Sequence, residues 1–186
     1  DPYSASKAAT EIAIAAWQNL ASISNQMKIV AARAGNVIGG GDHAEDRLLP
    51  DLVRGFKSGK KTVIRNPDSL RPWQHVLDPI NGYLILGSRI NNHEVSNAYN
   101  FGPSEKSKLN VEKMAKIACE NWPGNLGYEV VKSDFNPPES NLLWLDSYKA
   151  KRELNWETKL SAEEAIKWTL EWESITDKSN PLKAMD

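Results

Sequence analysis

Residues 27–34 read Met-Lys-Ile-Val-Ala-Ala-Arg-Ala, and this short, largely apolar run decides the fold class. Such a run is typical of a strand buried on both faces, as strands are in a parallel sheet. Before it, residues 3–22 place alanine, isoleucine and leucine at helical spacing, and Pro2 suits the first turn of a helix. A helix followed by a buried strand is half of a doubly wound unit. The sequence therefore predicts an α/β fold with a doubly wound parallel sheet.

The rest of the chain alternates between segments that favour helices and segments that favour strands. Asp78 and Asn110 each precede a helical pattern as candidate caps, and Ser161 with Glu164 forms a capping box. The predicted helices cover residues 48–57, 78–90, 111–122, 146–154 and 162–173. The predicted strands cover residues 62–65, 72–77, 97–101, 128–132 and 142–145.

The composition of the 186 residues is that of an ordinary globular protein, with 40% apolar and 25% charged residues. No apolar run approaches the roughly 18 residues of a membrane span, and no export leader is recognisable. The net charge of −1 gives no general attraction to nucleic acid or to an anionic membrane. Cys119 is the one cysteine, which excludes an internal disulfide. We therefore expect a cytoplasmic protein whose partners are neither nucleic acid nor membrane.

Positive charge is concentrated between residues 47 and 71, where seven lysines and arginines face two aspartates and leave a local net charge of +5. A segment of this charge suits a small anionic ligand. Trp73 follows closely, between Arg71 and His75, and we expect it to line a pocket.

Tyr3 and Lys7 are four residues apart in the first predicted helix, so their side chains lie on one face, one turn apart. A lysine ammonium close to a tyrosine favours the phenolate form, which can take a proton from a sugar hydroxyl while a nicotinamide accepts hydride. The same spacing recurs at Tyr128 and Lys132, but in a predicted strand, where four residues span roughly 13 Å. The spacing alone therefore does not decide between a catalytic pair and a coincidence.

Residues 35–42 form a glycine-rich loop directly after the buried strand. The loop does not match the G-x-G-x-x-G pattern of a dinucleotide-phosphate loop. Two interpretations stay open: a generic turn, or a ligand-binding loop at the carboxyl end of a parallel strand.

Three strings extend the pattern: RAGNVIGGGD at 33–42, AEDRLLP at 44–50 and VIRNPDSLRPWQHVLD at 63–78. With the tyrosine-lysine helix before them, they resemble the extended short-chain dehydrogenase/reductase family that acts on nucleotide sugars, in particular its CDP-glucose 4,6-dehydratases. The resemblance runs from residue 1 to about residue 173. It implies the C-terminal part of a Rossmann-type sheet plus a smaller α/β substrate-binding domain. Residues 1–38 and 78–102 would belong to the dinucleotide-binding domain, and residues 39–77 and 103–186 to the nucleotide-sugar-binding domain.

The resemblance also implies roles for individual residues. Tyr3 corresponds to the catalytic base and Lys7 to the residue that favours its phenolate form, and both, with Val37, would contact the cofactor NAD. No metal is implied. The implied substrate-binding residues are Asn36, Arg47, Leu48, Val63, Arg65, Arg71 and Glu139.

The implied reaction is the NAD-dependent 4,6-dehydration of CDP-glucose to CDP-4-keto-6-deoxyglucose, a step of deoxysugar and O-antigen biosynthesis. A nucleotide-sugar 4-epimerase or another nucleotide-sugar dehydratase is an alternative, because each needs the same tyrosine and cofactor. In the family, the glycine-rich dinucleotide loop and further acid/base residues precede the tyrosine, and this chain has no initial methionine. We therefore expect a fragment that is inactive alone, with a nucleotide-diphosphate-binding module as the alternative of another class. The alanine face of the first helix suggests a homodimer or a dimer of dimers.

Overall fold

The structure is a computed structural model, and it describes residues 1–24, 27–91, 95–131 and 142–175. Its helices are α1 (Pro2–Ser24), α2 (Leu48–Ser58), α3 (Leu77–Arg89), α4 (Val111–Glu120), α5 (Tyr148–Leu154) and α6 (Ala162–Ile175). Its strands are β1 (Ala31–Ala34), β2 (Val37–Ile38), β3 (Thr62–Ile64), β4 (Leu70–Arg71), β5 (Gln74–His75), β6 (Ala98–Phe101), β7 (Leu109–Asn110) and β8 (Tyr128–Val130). The predicted α/β class is confirmed.

The described strands form four two-stranded sheets, and three of the four are parallel, the pairing that a doubly wound fold uses. Strand β1 pairs with β6 in parallel, from Ala31 opposite Ala98 to Ala34 opposite Phe101. The pairs β2–β5 and β3–β8 are also parallel, whereas β4–β7 is antiparallel. Helix α3 lies in the chain between β5 and β6, so it forms part of the crossover that returns to β1.

Two buried apolar clusters hold these elements together. The larger one joins α2, α4 and α6 through residues such as Leu52, Met114 and Ile166. The smaller one joins β6 to α3 and α5, and in it the rings of Phe101 and Trp156 meet edge to face with centroids 4.9 Å apart. The division of the chain between two domains stays a prediction.

The predicted starts of α2, α4 and α6 are confirmed, and local caps explain those of α4 and α6. The side chain of Asn110 accepts a hydrogen bond from the backbone N–H of Lys113 at 2.8 Å, at the start of α4. Ser161 and Glu164 form the predicted capping box of α6, with the backbone N–H of each bonded to the side chain of the other. Gly59 ends α2 with φ of 63°, a left-handed conformation that glycine adopts without strain.

The prediction for Asp78 is wrong. Helix α3 begins at Leu77, one residue earlier, and Asp78 forms no cap. Its buried carboxylate instead accepts hydrogen bonds from the backbone N–H groups of Lys159 and Leu160, at 2.9 and 3.4 Å. The indole N–H of Trp156 donates to the backbone carbonyl of Asp78 at 3.1 Å. Asp78 therefore fixes the segment before α6 rather than the start of α3.

Two predicted strands are also wrong in detail. The segment 72–77 is not one strand, because β4 and β5 flank the turn that contains Pro72 and Trp73. The segment 142–145 provides only an isolated bridge between Leu142 and Leu70. The predicted strand at 128–132 is confirmed as β8, and Lys132 lies outside the described residues.

Helix α1 is attached to the sheet at its C-terminal half. The side-chain amide of Gln18 donates to the backbone carbonyls of Ile29 and Asn97, at 3.2 and 2.8 Å. Ile12, Leu20 and Ile23 on the same helix are more than half exposed. A homodimer through this helix stays a prediction. Within the described parts of the chain, no helix combines the length and apolar character needed to cross a bilayer.

Candidate active site

An open cleft of about 1230 Å³ lies along helix α1, strand β1 and the loop that follows β1. All four residues of β1 line it, as do the start of α2 and Trp73. The cleft therefore lies next to the carboxyl end of a parallel strand, where α/β sheets bind ligands. Seven of the predicted site residues line it: Tyr3, Lys7, Asn36, Val37, Arg47, Leu48 and Arg71.

Tyr3 and Lys7 face the cleft from the first two turns of α1. The Nζ atom of Lys7 lies 5.5 Å from the centroid of the Tyr3 ring, within the range of a cation–π contact. The side chain of Tyr3 is 67% exposed, so a ligand in the cleft can reach the phenol. Asp1 caps the helix by accepting a hydrogen bond from the backbone N–H of Ser4 at 2.9 Å, and this cap fixes the turn that contains Tyr3.

Glu11 continues the face of Tyr3 and Lys7 one turn further along α1, and it binds Arg33 of strand β1. The Nε and Nη2 atoms of Arg33 donate to the two carboxylate oxygens of Glu11, at 2.6 and 2.5 Å. A third donor of Arg33 reaches the side-chain oxygen of Asn100 in β6 at 3.3 Å. The guanidinium holds the pKa of the Glu11 carboxyl below its ordinary value. This contact fixes the face of α1 that carries Tyr3 and Lys7 relative to strand β1.

Sequence reasoning missed the contact between Glu11 and Arg33. One signal was available, since Arg33 is a charged residue inside an apolar strand and such a residue needs a partner. The partner itself is 22 residues away in the chain, and no local pattern identifies it.

Residues 35–47, which we call the cleft loop, follow β1 along the floor of the cleft. The backbone N–H of Gln74 donates to the carbonyl of Asn36 at 3.0 Å, and Val37 pairs with Gln74 in the β2–β5 ladder. Gly35 allows close contact with Pro72, because a Cβ atom at Gly35 would lie 2.8 Å from the Pro72 ring. The loop is therefore fixed against the segment that contains Arg71 and Trp73.

Arg71 and Arg47 bring positive charge to the cleft from two directions. Arg71 is only 8% exposed, and its Nη1 atom donates to the carbonyl of Leu70 at 2.8 Å. Arg47 is exposed at the N-terminal end of α2, where free backbone N–H groups and the helix dipole also favour an anion. Trp73 is buried and lines the cleft, so the prediction that it lines a pocket is confirmed.

Three other cationic side chains between residues 47 and 71 form ion pairs with carboxylates that do not line the cleft. Arg54 pairs with Asp51, Lys57 with Glu173 and Lys61 with Glu129. Of the seven cations between residues 47 and 71, Arg47 and Arg71 line the cleft.

Two of the predicted substrate-binding residues, both on or next to strand β3, do not line the cleft. Val63 and Arg65 are absent from its lining, and the side chain of Val63 is half exposed on strand β3. Glu139 lies outside the described residues. Their roles stay predictions. In the described ranges, no cluster of three or more histidine, cysteine, aspartate or glutamate side chains is arranged to hold a metal ion.

Comparison with known sequences finds relatives over nearly the whole chain. The model of the GDP-mannose 4,6 dehydratase family matches residues 1–169. A CDP-glucose 4,6-dehydratase of Salmonella typhimurium is 36% identical over 185 residues, covering 92% of this chain and 51% of that protein. A dTDP-glucose 4,6-dehydratase of Haemophilus influenzae is 26% identical over 189 residues, covering 96% of this chain and 53% of that protein. The chain thus spans about half the length of these relatives.

Solved structures agree with the predicted Rossmann-type fold. The dTDP-glucose 4,6-dehydratase of Bacillus anthracis in complex with NAD superposes with a TM-score of 0.77 at 20% identity, covering 96% of this chain and 53% of that one. A UDP-glucuronic acid 4-epimerase of Bacillus cereus in complex with UDP-glucuronic acid and NAD gives a TM-score of 0.67 at 17% identity, covering 80% of this chain and 46% of that one. At these identities the similarity shows the fold alone.

Proposed function

The chain belongs to the GDP-mannose 4,6-dehydratase family, and on that premise we propose that it is part of an NAD-dependent enzyme that dehydrates CDP-glucose to CDP-4-keto-6-deoxyglucose. The observation that supports this most directly is the cleft itself. It brings together the Tyr3 and Lys7 pair, the cleft-loop residue Asn36, and the arginines Arg47 and Arg71. These groups match the needs of a sugar joined to a diphosphate.

Tyr3 is the proposed base for the hydroxyl on C4 of the sugar. Removal of that proton leaves an alkoxide whose electrons form the C4 carbonyl as hydride departs. The ammonium of Lys7 lies 5.5 Å from the centroid of the Tyr3 ring, so a positive charge lies beside the proposed base. The exposure of Tyr3 into the cleft leaves room for the sugar beside the phenol.

The cleft residues fit the nicotinamide riboside end of NAD by their chemistry. Lys7 offers an ammonium donor for ribose hydroxyls, and Val37 offers apolar surface for the nicotinamide ring. When bound, NAD would supply the acceptor for the C4 hydride and the donor that restores it to C6, so that the net reaction is loss of one water across C5 and C6.

Arg71 and Arg47 are proposed to bind the diphosphate, and Asn36 the sugar. A guanidinium offers paired N–H donors in the plane that phosphate oxygens require. Because Arg71 is nearly buried at the cleft wall, a phosphate bound to it is shielded from water and the attraction is strong. Asn36 has both a donor and an acceptor for sugar hydroxyls.

The preference for CDP-glucose rests on sequence similarity. Identity to the CDP-glucose enzyme of Salmonella typhimurium is 36%, against 26% to the dTDP-glucose enzyme of Haemophilus influenzae. A 4-epimerase is the second candidate, because a UDP-glucuronic acid 4-epimerase shares the fold and a 4-epimerase needs the same base. A nucleotide-diphosphate-binding module without turnover is the third, because the chain spans about half of its relatives.

One set of assays separates these candidates. The full-length protein that contains these residues is incubated with NAD and, separately, CDP-glucose, dTDP-glucose, UDP-glucose and GDP-mannose. We expect a 4-keto sugar, detected by its absorbance in alkali, with CDP-glucose above the others. A 4-epimer without keto sugar would overturn the dehydratase in favour of the epimerase. Equilibrium dialysis of the 186-residue chain that finds CDP bound but NAD unbound would identify this part as the nucleotide-sugar-binding portion.

A further inference from the structure

We propose that Glu173, on helix α6 and outside the cleft, is a positioning residue that fixes the cleft loop for binding of the nucleotide sugar. Glu173 lines no part of the cleft itself. The proposal rests on the proposed function only in taking the cleft loop as part of the nucleotide-sugar site. Nothing in the local sequence distinguishes Glu173 from the exposed Glu171 two residues before it.

Glu173 joins three separate elements through one buried carboxylate. Its residue is only 4% exposed. Its Oε1 atom accepts a hydrogen bond from the backbone N–H of Gly41 in the cleft loop at 2.8 Å. Its Oε2 atom pairs with the ammonium of Lys57 on α2. A buried carboxylate that uses both oxygens in this way is stabilised only while both partners stay in place.

The neighbouring Trp172 shows that the loop backbone lies directly on helix α6. A Cβ atom at Gly40 would lie 2.2 Å from the Trp172 ring atom Cδ2, so only glycine fits there. Gly41 has φ of 82°, a conformation that other residues adopt only with strain. Glycine at both positions therefore allows the loop backbone to lie close to α6, where the N–H of Gly41 reaches Glu173.

The rest of the loop explains why this contact affects the cleft. On the N-terminal side, the β2–β5 ladder holds Val37 and Ile38. On the C-terminal side, the Nη1 atom of Arg54 donates to the carbonyls of His43 and Ala44, at 3.0 and 3.2 Å. Glu173 holds the stretch between these two attachments. Asp42 lies in that stretch and lines the cleft. Arg47, which follows the second attachment, also lines the cleft.

Loss of the Glu173 contact should therefore displace cleft-lining groups without touching Tyr3 or Lys7. Those two residues lie on α1, which is attached to β1 and β6 through Glu11 and Gln18. Nucleotide-sugar binding should weaken while NAD binding and the proton-transfer step change little. A residue that merely stabilises the fold would affect all three together.

The test compares Glu173→Ala, Glu173→Gln and the matched control Glu171→Ala in the full-length enzyme. Glu173→Gln keeps an oxygen acceptor for Gly41, whereas Glu173→Ala removes it. We expect Glu173→Ala to raise the KM for CDP-glucose about tenfold or more, since small misplacements at a binding site have effects of that order. We expect kcat and the Kd of NAD to stay within about threefold of wild type, Glu173→Gln to recover at least half of the loss on a logarithmic scale, and Glu171→Ala to match wild type.

A second readout does not depend on the proposed function. Trypsin cleavage after Arg47 reports the mobility of the cleft loop directly, and we expect it to be several times faster in Glu173→Ala than in Glu171→Ala. If Glu173→Ala fails to fold, the same measurements on Lys57→Met decide, because this change removes the partner of Glu173 Oε2, and wild-type values of KM and cleavage in Lys57→Met would overturn the proposal. A folded Glu173→Ala with wild-type KM and cleavage overturns the positioning role while the dehydratase stands. Faster cleavage in a protein that does not turn over any nucleotide sugar supports the loop contact and overturns the proposed function.

Discussion

The carboxylate of Asp78 accepts a hydrogen bond from the backbone N–H of Lys159, a residue 81 positions further along the chain, at 2.9 Å. The same carboxylate accepts a second hydrogen bond from the N–H of Leu160. Asp78 lies three residues after the end of β5, and β5 follows the turn that contains Pro72 and Trp73. One buried side chain therefore connects the wall of the cleft to the segment that leads into α6.

Replacing Asp78 with alanine should destabilise the fold by about 1–3 kcal/mol, because the partly buried N–H groups of Lys159 and Leu160 lose their acceptor. Asp78→Asn keeps one acceptor oxygen and should fall between Asp78→Ala and wild type. Urea unfolding followed by tryptophan fluorescence measures both changes. Asp68→Ala, at an exposed turn, is the control. Equal stability of Asp78→Ala and Asp68→Ala would contradict the structural role.

Tyr3→Phe should lower kcat by about 10² to 10⁴, the usual loss when a general base is removed. Binding of CDP-glucose should stay within about threefold, because the phenol is not among the groups proposed for the diphosphate. The matched control is Tyr128→Phe, since Tyr128 begins the second tyrosine-lysine spacing and does not line the cleft. Turnover is measured by the 4-keto sugar assay in the full-length enzyme. Unchanged kcat in Tyr3→Phe would remove Tyr3 from the mechanism.

Local chemistry explains which parts of this structure the sequence could predict. Asn110 and the pair Ser161 and Glu164 determine helix starts through contacts within a few residues, and the sequence predicts both correctly. The same reliance on local pattern makes the prediction for Asp78 wrong. An aspartate before a proline resembles a helix cap, and its true donors come from a distant segment that no local pattern connects to it.

In the candidate site, too, the sequence predicts the residues that carry chemistry but not the distant contacts that position them. The order of motifs along the chain predicts that Tyr3 and Arg71 belong to one site, and both side chains line the same cleft. The contacts of Glu11 with Arg33 and of Glu173 with Gly41 were not predicted, because each joins elements far apart in the chain. Residue types alone indicated which side chains could do chemistry, but not which side chains hold them in place.

Arg71→Ala should weaken binding of CDP-glucose by about 2–5 kcal/mol, the usual loss when one partner of a buried charge pair is truncated. Arg71→Lys should recover only part of this, because an ammonium cannot offer paired planar donors. Titration calorimetry measures the affinity, with Arg89→Ala at the exposed end of α3 as the control. A loss below about 0.5 kcal/mol would exclude Arg71 from the diphosphate site.

Glu11→Gln should lower kcat severalfold with a small change in stability. Both side chains of the Glu11 and Arg33 pair are about two-fifths exposed, so solvent screening limits the contribution of the pair to about 1 kcal/mol or less. The effect on kcat would come from a shift of the helix face that presents Tyr3. A double-mutant cycle with Arg33→Met tests this, and the two single changes should lower kcat by similar, non-additive factors. Additive losses would show that the two residues act independently.

The hydrogen bonds around Glu153 predict a loss of stability in acid. Its Oε2 atom accepts from the hydroxyls of Ser96 and Tyr99, at 2.7 and 2.9 Å, and its Oε1 atom accepts from Arg152 at 2.6 Å. The bonds from Ser96, Arg152 and Tyr99 lower the pKa of Glu153 to about 2. In the unfolded chain a glutamate titrates near 4.3, so folding favours the ionised form.

The stabilising contribution of Glu153 is therefore complete above about pH 5 and is lost progressively as the pH falls toward the folded pKa of about 2. Glu153→Gln removes this ionisation. We expect the variant to have a lower Tm than wild type at pH 6, and the gap to narrow between pH 5 and pH 3. Differential scanning calorimetry measures both, with Glu163→Gln in the exposed first turn of α6 as the control for general acid effects. A difference in Tm between wild type and Glu153→Gln that stays constant with pH would contradict this prediction. It would mean that Glu153 has the same pKa in the folded and unfolded states, because only a difference in pKa makes stability depend on pH.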